Sequence, residues 1–129
     1  MIEEGLVTFL LADTGLTLLI GNRLHDDVLP QSPTVPAVVW QRISTPREYS
    51  HSGSSHLAMP RFQFACWAKT RLEAIQLANT LRAALEAHNG AMGAETVYAA
   101  YSENELAGYD AETGLRREIV DYRIDHKET

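Results

Sequence analysis

The segment from Thr70 to Gly90 restricts the fold most, because it carries a complete set of signals for one amphipathic helix. Thr70 and Glu73 have the spacing of a capping box, in which the threonine hydroxyl accepts a hydrogen bond from the Glu73 N–H. Apolar residues then recur at the spacing of a buried helix face: Ala74, Leu77, Ala78, Leu81, Ala84 and Leu85. We expect His88 in the last turn and Asn89-Gly90 as the stop.

Four further segments are rich in β-branched and aromatic residues and predict strands on both sides of this helix. They are residues 35–44, 61–68, 95–102 and 115–126. The last of them alternates apolar and charged residues, which predicts one dry side and one side facing water. The apolar set is Val120, Tyr122 and Ile124, and the charged set is Asp121, Arg123 and Asp125. A turn-prone segment that ends in Asp-Ala-Glu-Thr-Gly is expected to join the last two strands.

The N-terminal part adds a short amphipathic helix over residues 2–11 and one more helical turn that ends at Gly21-Asn22. Three prolines between residues 30 and 36 exclude regular pairing there. The order of elements predicts an α+β fold in a single domain, residues 1–129. We expect a mostly antiparallel four-stranded sheet, with helices packed on one face and an extended hairpin between the first two strands.

Composition excludes several function classes. The net charge is −6, and no run of Lys or Arg exceeds the pair Arg116-Arg117, so tight wrapping of nucleic acid is not expected. Cys66 is the only cysteine, which excludes an internal disulfide and a cysteine-based zinc site. We expect its thiol to be buried as a small hydrophobe. The acidic start and its short apolar run fit neither a signal peptide nor a membrane span, so a soluble cytoplasmic protein is expected.

Residues 45–60 form a polar segment between the first two predicted strands, and its histidines and serines raise the question of chemistry. His51 and His56 lack the third and fourth ligands that a zinc site needs, and Ser52 lacks the Gly-x-Ser-x-Gly elbow of many hydrolases. A cluster of carboxylates, Glu103, Glu105, Asp110 and Glu112, does not have the spacing of a calcium loop, so we expect a solvated turn. We therefore expect no catalytic, cofactor or metal site.

The polar segment instead predicts a hairpin arm that extends beyond the core. Pro46 and Pro60 at its base should discourage continued pairing, and the arm should become ordered against a partner. An idle flexible loop is the alternative, just as simple solvation is the alternative for the charged strand face. The candidate interface residues are Arg47, Glu48, Tyr49, His51, His56, Arg61, Asp121, Arg123 and Asp125.

The order of these features resembles the tail completion, or tail terminator, proteins of long-tailed bacteriophages and prophages. The resemblance rests on the Pro-Ala-hydrophobic strand that runs into Gln-Arg-Ile-Ser, the Cys-Trp-Ala strand before the long helix, and the Glu-Thr-Gly-Leu turn before the final Asp-Tyr-Arg-Ile strand. It implies a ring, usually hexameric, on the head-proximal end of the tail tube. Such a ring ends tube polymerisation, joins the head connector and lets DNA pass through its lumen, without a cofactor or a membrane.

Four other functions remain open at this point. The chain could be a head-tail adaptor or a tail tube subunit with a similar fold. It could also be a small metal-dependent or serine hydrolase that uses His51, Ser52 and His56. A host interaction domain without any phage connection is the fourth.

Overall fold

The computed structural model describes residues 1–50, 53–86 and 88–127, with only the backbone described at 47–50 and 53–56. Its helices are α1 (Ile2–Leu11), α2 (Thr14–Ile20) and α3 (Arg71–Leu85). Its strands, in chain order, are β1 (Leu24–Asp26), β2 (Ala37–Ser44), β3 (Arg47–Ser50), β4 (Gly53–Ala58), β5 (Arg61–Ala68), β6 (Gly90–Met92), β7 (Glu95–Tyr109) and β8 (Arg116–Lys127). None of the described helices is long and apolar enough to cross a membrane.

The α+β class is confirmed, but the four-stranded description of the sheet is wrong. The four long strands do form an antiparallel centre in the order β2-β5-β8-β7. The short strands extend it: β1 pairs with β2 in parallel, β6 pairs with β7, and β3 and β4 pair with each other at one end. The three-residue strands β1 and β6 contain too few positions for an alternating pattern, and β3 and β4 lie in a polar segment that lacks alternating apolar residues.

The extended hairpin is confirmed, because β2 pairs with β5 and the pairing leads on into β3 and β4. The prediction that the prolines discourage pairing is confirmed only in part: the strands break at Pro46 and Pro60, but pairing resumes at Arg47 opposite Ala58. The prolines contribute their carbonyls instead: Pro46 O accepts from Met59 N at 2.9 Å, and Pro60 O accepts from Ile124 N at 3.0 Å. A residue without an N–H can still accept a hydrogen bond, so the ladder crosses both positions.

The predicted turn is confirmed at residues 110–114, where Gly114 N donates to Asp110 O at 2.8 Å. Its predicted start after residue 102 is wrong, because β7 continues to Tyr109 opposite Arg116. A register shift between Ser102 and Asn104 lets this polar stretch stay paired with β8. The turn itself is short, and its Asp110 carboxylate accepts the Thr113 hydroxyl at 2.7 Å. Cross-strand pairing outweighs the low strand propensity of this stretch.

Helix α3 begins as predicted, since the Thr70 hydroxyl accepts from Glu73 N at 3.2 Å. Its predicted end is wrong. The helix stops at Leu85, and Gly90 lies in β6 opposite Val97. The His88 ring packs 4.4 Å from the ring centre of Phe9, outside the helix. Pairing with β7 and packing on α1 are tertiary contacts that override the local helix signal.

The three helices share one face of the sheet and bury the core there. That face carries Val38, Trp40, Phe62, Phe64, Cys66, Val120, Tyr122 and Ile124. Helix α3 supplies Leu77, Leu81 and Leu85, and α1 supplies Leu6 and Leu10. The predicted burial of Cys66 is confirmed at 0% exposure, and this burial raises the pKa of its thiol, which makes it a poor nucleophile.

Candidate interaction surface

The sheet face opposite the helices, here called the open face, carries the charged residues of β8. Strand alternation places Val120, Tyr122 and Ile124, all 0% exposed, on the helix side, as predicted. Asp121, Arg123 and Asp125 point to the open face. The prediction of a uniformly water-facing side is wrong for Asp121, which is only 5% exposed.

Asp121 is covered by an arginine from the neighbouring strand. Arg61 is the cross-strand partner of Arg123, and its guanidinium donates to the Asp121 carboxylate at 2.7 Å. The second carboxylate oxygen, Oδ1, and the Arg61 Nε are buried and have no hydrogen-bond partner among the described residues. A buried acceptor without a hydrogen bond costs free energy, so Arg61 only partly compensates the burial of this carboxylate.

A second ion pair lies one row further along β8. Arg123 donates to both carboxylate oxygens of Asp125, at 2.9 and 3.1 Å. The same guanidinium stacks 4.7 Å from the centre of the Tyr101 ring on β7. Two hydrogen bonds and an aromatic face hold this arginine in one orientation, so it presents a fixed positive group at the surface.

Arg61 and Arg123 border a cleft of about 340 Å³ at the base of the hairpin arm. Its lining is Ser44, Pro46, Met59, Arg61, Glu103 and Arg123. Sequence reasoning identified Arg61 and Arg123 but missed Glu103 and Tyr101 as their neighbours. The pairing of β7 with β8 places Glu103 and Tyr101 beside the arginines, and no local sequence pattern predicts that pairing.

The remaining predicted interface residues lie on the arm. Arg47, Glu48 and Tyr49 belong to β3, and His56 belongs to β4, but their side chains are outside the described part of the chain. His51, like Ser52, lies outside the described residues altogether. The structure therefore unites four of the predicted residues, Arg61, Asp121, Arg123 and Asp125, and leaves the arm residues as a prediction.

The carboxylates of the candidate calcium group do not gather in one turn. Glu105 on β7 accepts from Arg82 of α3 at 3.1 Å, whereas Asp110 and Glu112 lie in the turn that follows. Among the side chains described, those of residues 1–46, 57–86 and 88–127, no group of three or more histidine, cysteine or acidic residues is placed to hold a metal ion.

A second exposed surface, on α3, is apolar. Leu72 is 78% exposed and borders a shallow groove of about 580 Å³. The other lining residues are Ile75, Gln76, Asn79, Thr80 and Ala83. A single exposed leucine is common on protein surfaces, so this groove does not by itself indicate a contact.

Comparison with known proteins identifies relatives by sequence and by shape. A family model described as "Tail completion protein gp17" matches residues 4–126. Among solved structures, a chain from the virion of a native gene transfer agent (GTA) particle superposes with a TM-score of 0.79 at 18% sequence identity. The superposition covers 95% of this chain and 91% of that chain, which establishes a common fold. No curated protein matches the sequence.

Proposed function

Because the chain belongs to the tail completion protein gp17 family, we propose that it caps the head-proximal end of a phage tail tube. The resemblance seen in the sequence is confirmed by this match, and membership gives the chain a structural role in a phage tail. The proposed cap ends tube polymerisation and presents the surface that joins the head connector. The structural likeness to a chain of a GTA virion supports a place in a virion.

The observation that carries the proposal is the pair of ion pairs beside the arm, Arg61 with Asp121 and Arg123 with Asp125. Two ion pairs hold Arg61 and Arg123 in defined orientations next to a cleft, which is the preparation expected of a contact surface. A flexible charged surface would lose more side-chain entropy on binding.

We further propose that the protein acts as a closed ring, of the hexameric form that the family resemblance implies. In such a ring each copy uses one patch to bind its neighbour and a different patch to be bound. The arm over residues 45–60 is the proposed contact with an adjacent subunit or with the tube. DNA passes through the lumen, and the net charge of −6 disfavours adhesion of its phosphates.

Inactivation of the gene tests the proposed position at the head-proximal end of the tail tube. A host that carries the phage genome with this gene inactivated should release tail tubes of abnormal length together with tailless heads, visible by negative-stain electron microscopy. Expression of the wild-type gene from a plasmid is the control and should restore complete particles. Tails of normal length that fail to join heads would indicate an adaptor, and the loss of all tubes would indicate a tube subunit.

The role of the arm is tested by deleting residues 50–57. The shortened protein should keep its fold with a slightly lower melting temperature, because the core cluster lies outside the deleted residues and only the pairing of Leu57 with Lys127 of β8 is lost from the main sheet. It should restore far fewer infectious particles than the wild type. Full restoration by the shortened protein would remove the arm from the mechanism.

A further inference from the structure

In the part of the chain that the structure describes, the sheet has an open edge at each side. At the β2 edge, β1 covers only the part opposite Val38–Trp40, which leaves the strand free from Gln41 onward into β3. At the β7 edge, β6 covers only Glu95–Val97. Over the described residues no other strand pairs with either free stretch. An exposed strand edge is a template for pairing with another strand.

The hydrogen bonds of the sheet show which backbone groups point outward at the β2 edge. Val38 N donates to Arg23 O at 3.0 Å, and Trp40 O accepts from Asp27 N at 3.0 Å, both on the side of β1. Backbone groups alternate along a strand, so the N–H and C=O of Arg42 point to the same outer side. At Arg42 the covering strand β1 has already ended.

The backbone groups of β7 that point outward follow from its pairing with β8. Ile124 N donates to Pro60 O, so the even-numbered residues of β8 point toward β5, and the odd-numbered ones toward β7. Ser102 lies opposite Tyr122, and its N–H and C=O therefore point away from β8 to the outside. Arg42 and Ser102 occupy one row across the sheet, through Phe62 and Tyr122.

The directions and charges of the two edges match. The four central strands alternate in direction, so β7 runs opposite to β2, and two copies placed side by side in the same orientation would pair β7 with β2 antiparallel. Residues 98–109 carry two glutamates and no lysine or arginine. Residues 41–50 carry two arginines and one glutamate. Arg42 and Glu105 already have partners in their own chain, Glu3 and Arg82, so the difference in charge between the edges is small. Two β7 edges would still bring like-charged glutamates together, which favours the contact between unlike edges.

We propose that copies of this chain associate head to tail by adding the β7 edge of one copy to the β2 edge of the next. The sheet then continues from copy to copy with all helices on the same side. This is a heterologous contact, which generates a ring when the rotation between copies closes. The proposal deepens the proposed function and rests on its self-assembly. It assigns the contact between copies to backbone pairing along the two edges, and the β2 edge includes β3 at the base of the arm.

The substitution Arg42→Pro tests whether the β2 edge pairs with another copy. Arg42→Pro removes an outward N–H and leaves the ladder to β5, so the monomer should keep its fold. It also removes the 2.8 Å ion pair with Glu3, which makes Arg42→Ala the matched control. Size-exclusion chromatography with light scattering should show oligomers for the wild type and Arg42→Ala, and monomers for Arg42→Pro. Gln41→Pro, whose N–H points toward β5, should instead lower the melting temperature.

Mixing two variants tests the head-to-tail arrangement. Ser102→Pro blocks the β7 edge and Ser102→Ala is its control. Arg42→Pro and Ser102→Pro should each be monomeric alone, yet their mixture should form dimers, because each variant keeps one intact edge that fits the other. Normal assembly of Arg42→Pro, or no dimer in the mixture of two folded variants, would overturn the proposal.

Hydrogen exchange of the wild-type protein tests the same edge pairing without any substitution, and so it also applies if the proline variants unfold. In wild-type protein, the peptides that contain Arg42 and Ser102 should exchange more slowly at a concentration that gives oligomers than in the dissociated state. Equal exchange, or a wild type that stays monomeric at about millimolar concentration, contradicts edge pairing. Neither result affects the position on the tail, which the gene inactivation tests separately.

Discussion

The two faces of the sheet differ in the side chains that they carry and in what those side chains contribute. The helix-covered face is filled with apolar groups whose burial stabilises the fold, and its eight central side chains are at most 8% exposed. The open face carries charged pairs that lie at the surface or just beneath it, where solvent weakens their contribution to stability. Stability should therefore depend on one face, and contacts with other molecules on the other.

The largest expected effect comes from the helix-covered face. Phe64 is fully buried, and its neighbour Gln63 points to the open face of the same strand. Phe64→Ala should lower the free energy of unfolding by about 3–5 kcal/mol, as is usual for the loss of a buried aromatic ring. Gln63→Ala should change it by less than about 0.5 kcal/mol. Urea denaturation of both variants measures the difference, and similar losses would contradict the assignment of the core to one face.

Tyr122 sharpens the comparison, because it carries a polar atom into the covered face. Its hydroxyl donates to the Glu86 carboxylate at 3.0 Å. Tyr122→Phe should lower the unfolding free energy by about 1.5–3 kcal/mol, the range for hydrogen bonds to charged groups. Glu86→Gln keeps an acceptor in place and should cost less. Chemical denaturation at pH 7 measures both, and a Tyr122→Phe variant as stable as the wild type contradicts a stabilising role for this bond.

The same tyrosine predicts a pH dependence of stability. Burial, followed by the bond to Glu86, raises the pKa of the Tyr122 phenol above its ordinary value. The neutral phenol therefore contributes stability that is complete below about pH 10 and is lost as the pH rises further. The wild type should lose more stability than Tyr122→Phe between about pH 10 and 11.5. Parallel losses in the two proteins would exclude a contribution from this phenol; Cys66, whose pKa is also raised, affects both equally.

The third effect, on the open face, should be smaller. Arg61→Ala leaves the buried Asp121 carboxylate without its partner, and we expect a loss of about 1–2 kcal/mol, because the arginine is 40% exposed and solvent screens the pair. Asp121→Asn should cost less, since no buried charge remains. A double-mutant cycle measures the coupling between the two residues. Additive effects would show that the pair does not contribute to stability.

The smallest effect on stability should come from Arg123. Its bonds to Asp125 and its stacking on Tyr101 are partly exposed, so Arg123→Ala should cost only about 0.2–1 kcal/mol. If the open face serves contacts, the same variant should restore fewer complete particles than the wild type. Unchanged particle yield together with a large loss of stability would reverse the roles of the two faces.

Local patterns predicted much of the covered face and little of the open one. The cap at Thr70, the helix over residues 2–11 and the alternation of Val120, Tyr122 and Ile124 were recognisable because each depends on residues a few positions apart. The pairing of Arg61 with Asp121 joins residues that are 60 positions apart. Its two members were identified as candidate contact residues, but nothing in the sequence shows that they meet.

The amino-acid sequence by itself determined the class of the fold, the helix starts, the main strands and the burial of Cys66. Those features follow from local hydrogen bonding, side-chain period and hydrophobicity, which are properties of short segments. The tertiary structure alone decided the length of β7, the end of α3, the pairing across Pro46 and Pro60 and the two open edges of the sheet. Each of these depends on which other segment lies alongside, and short-range sequence patterns do not contain that information.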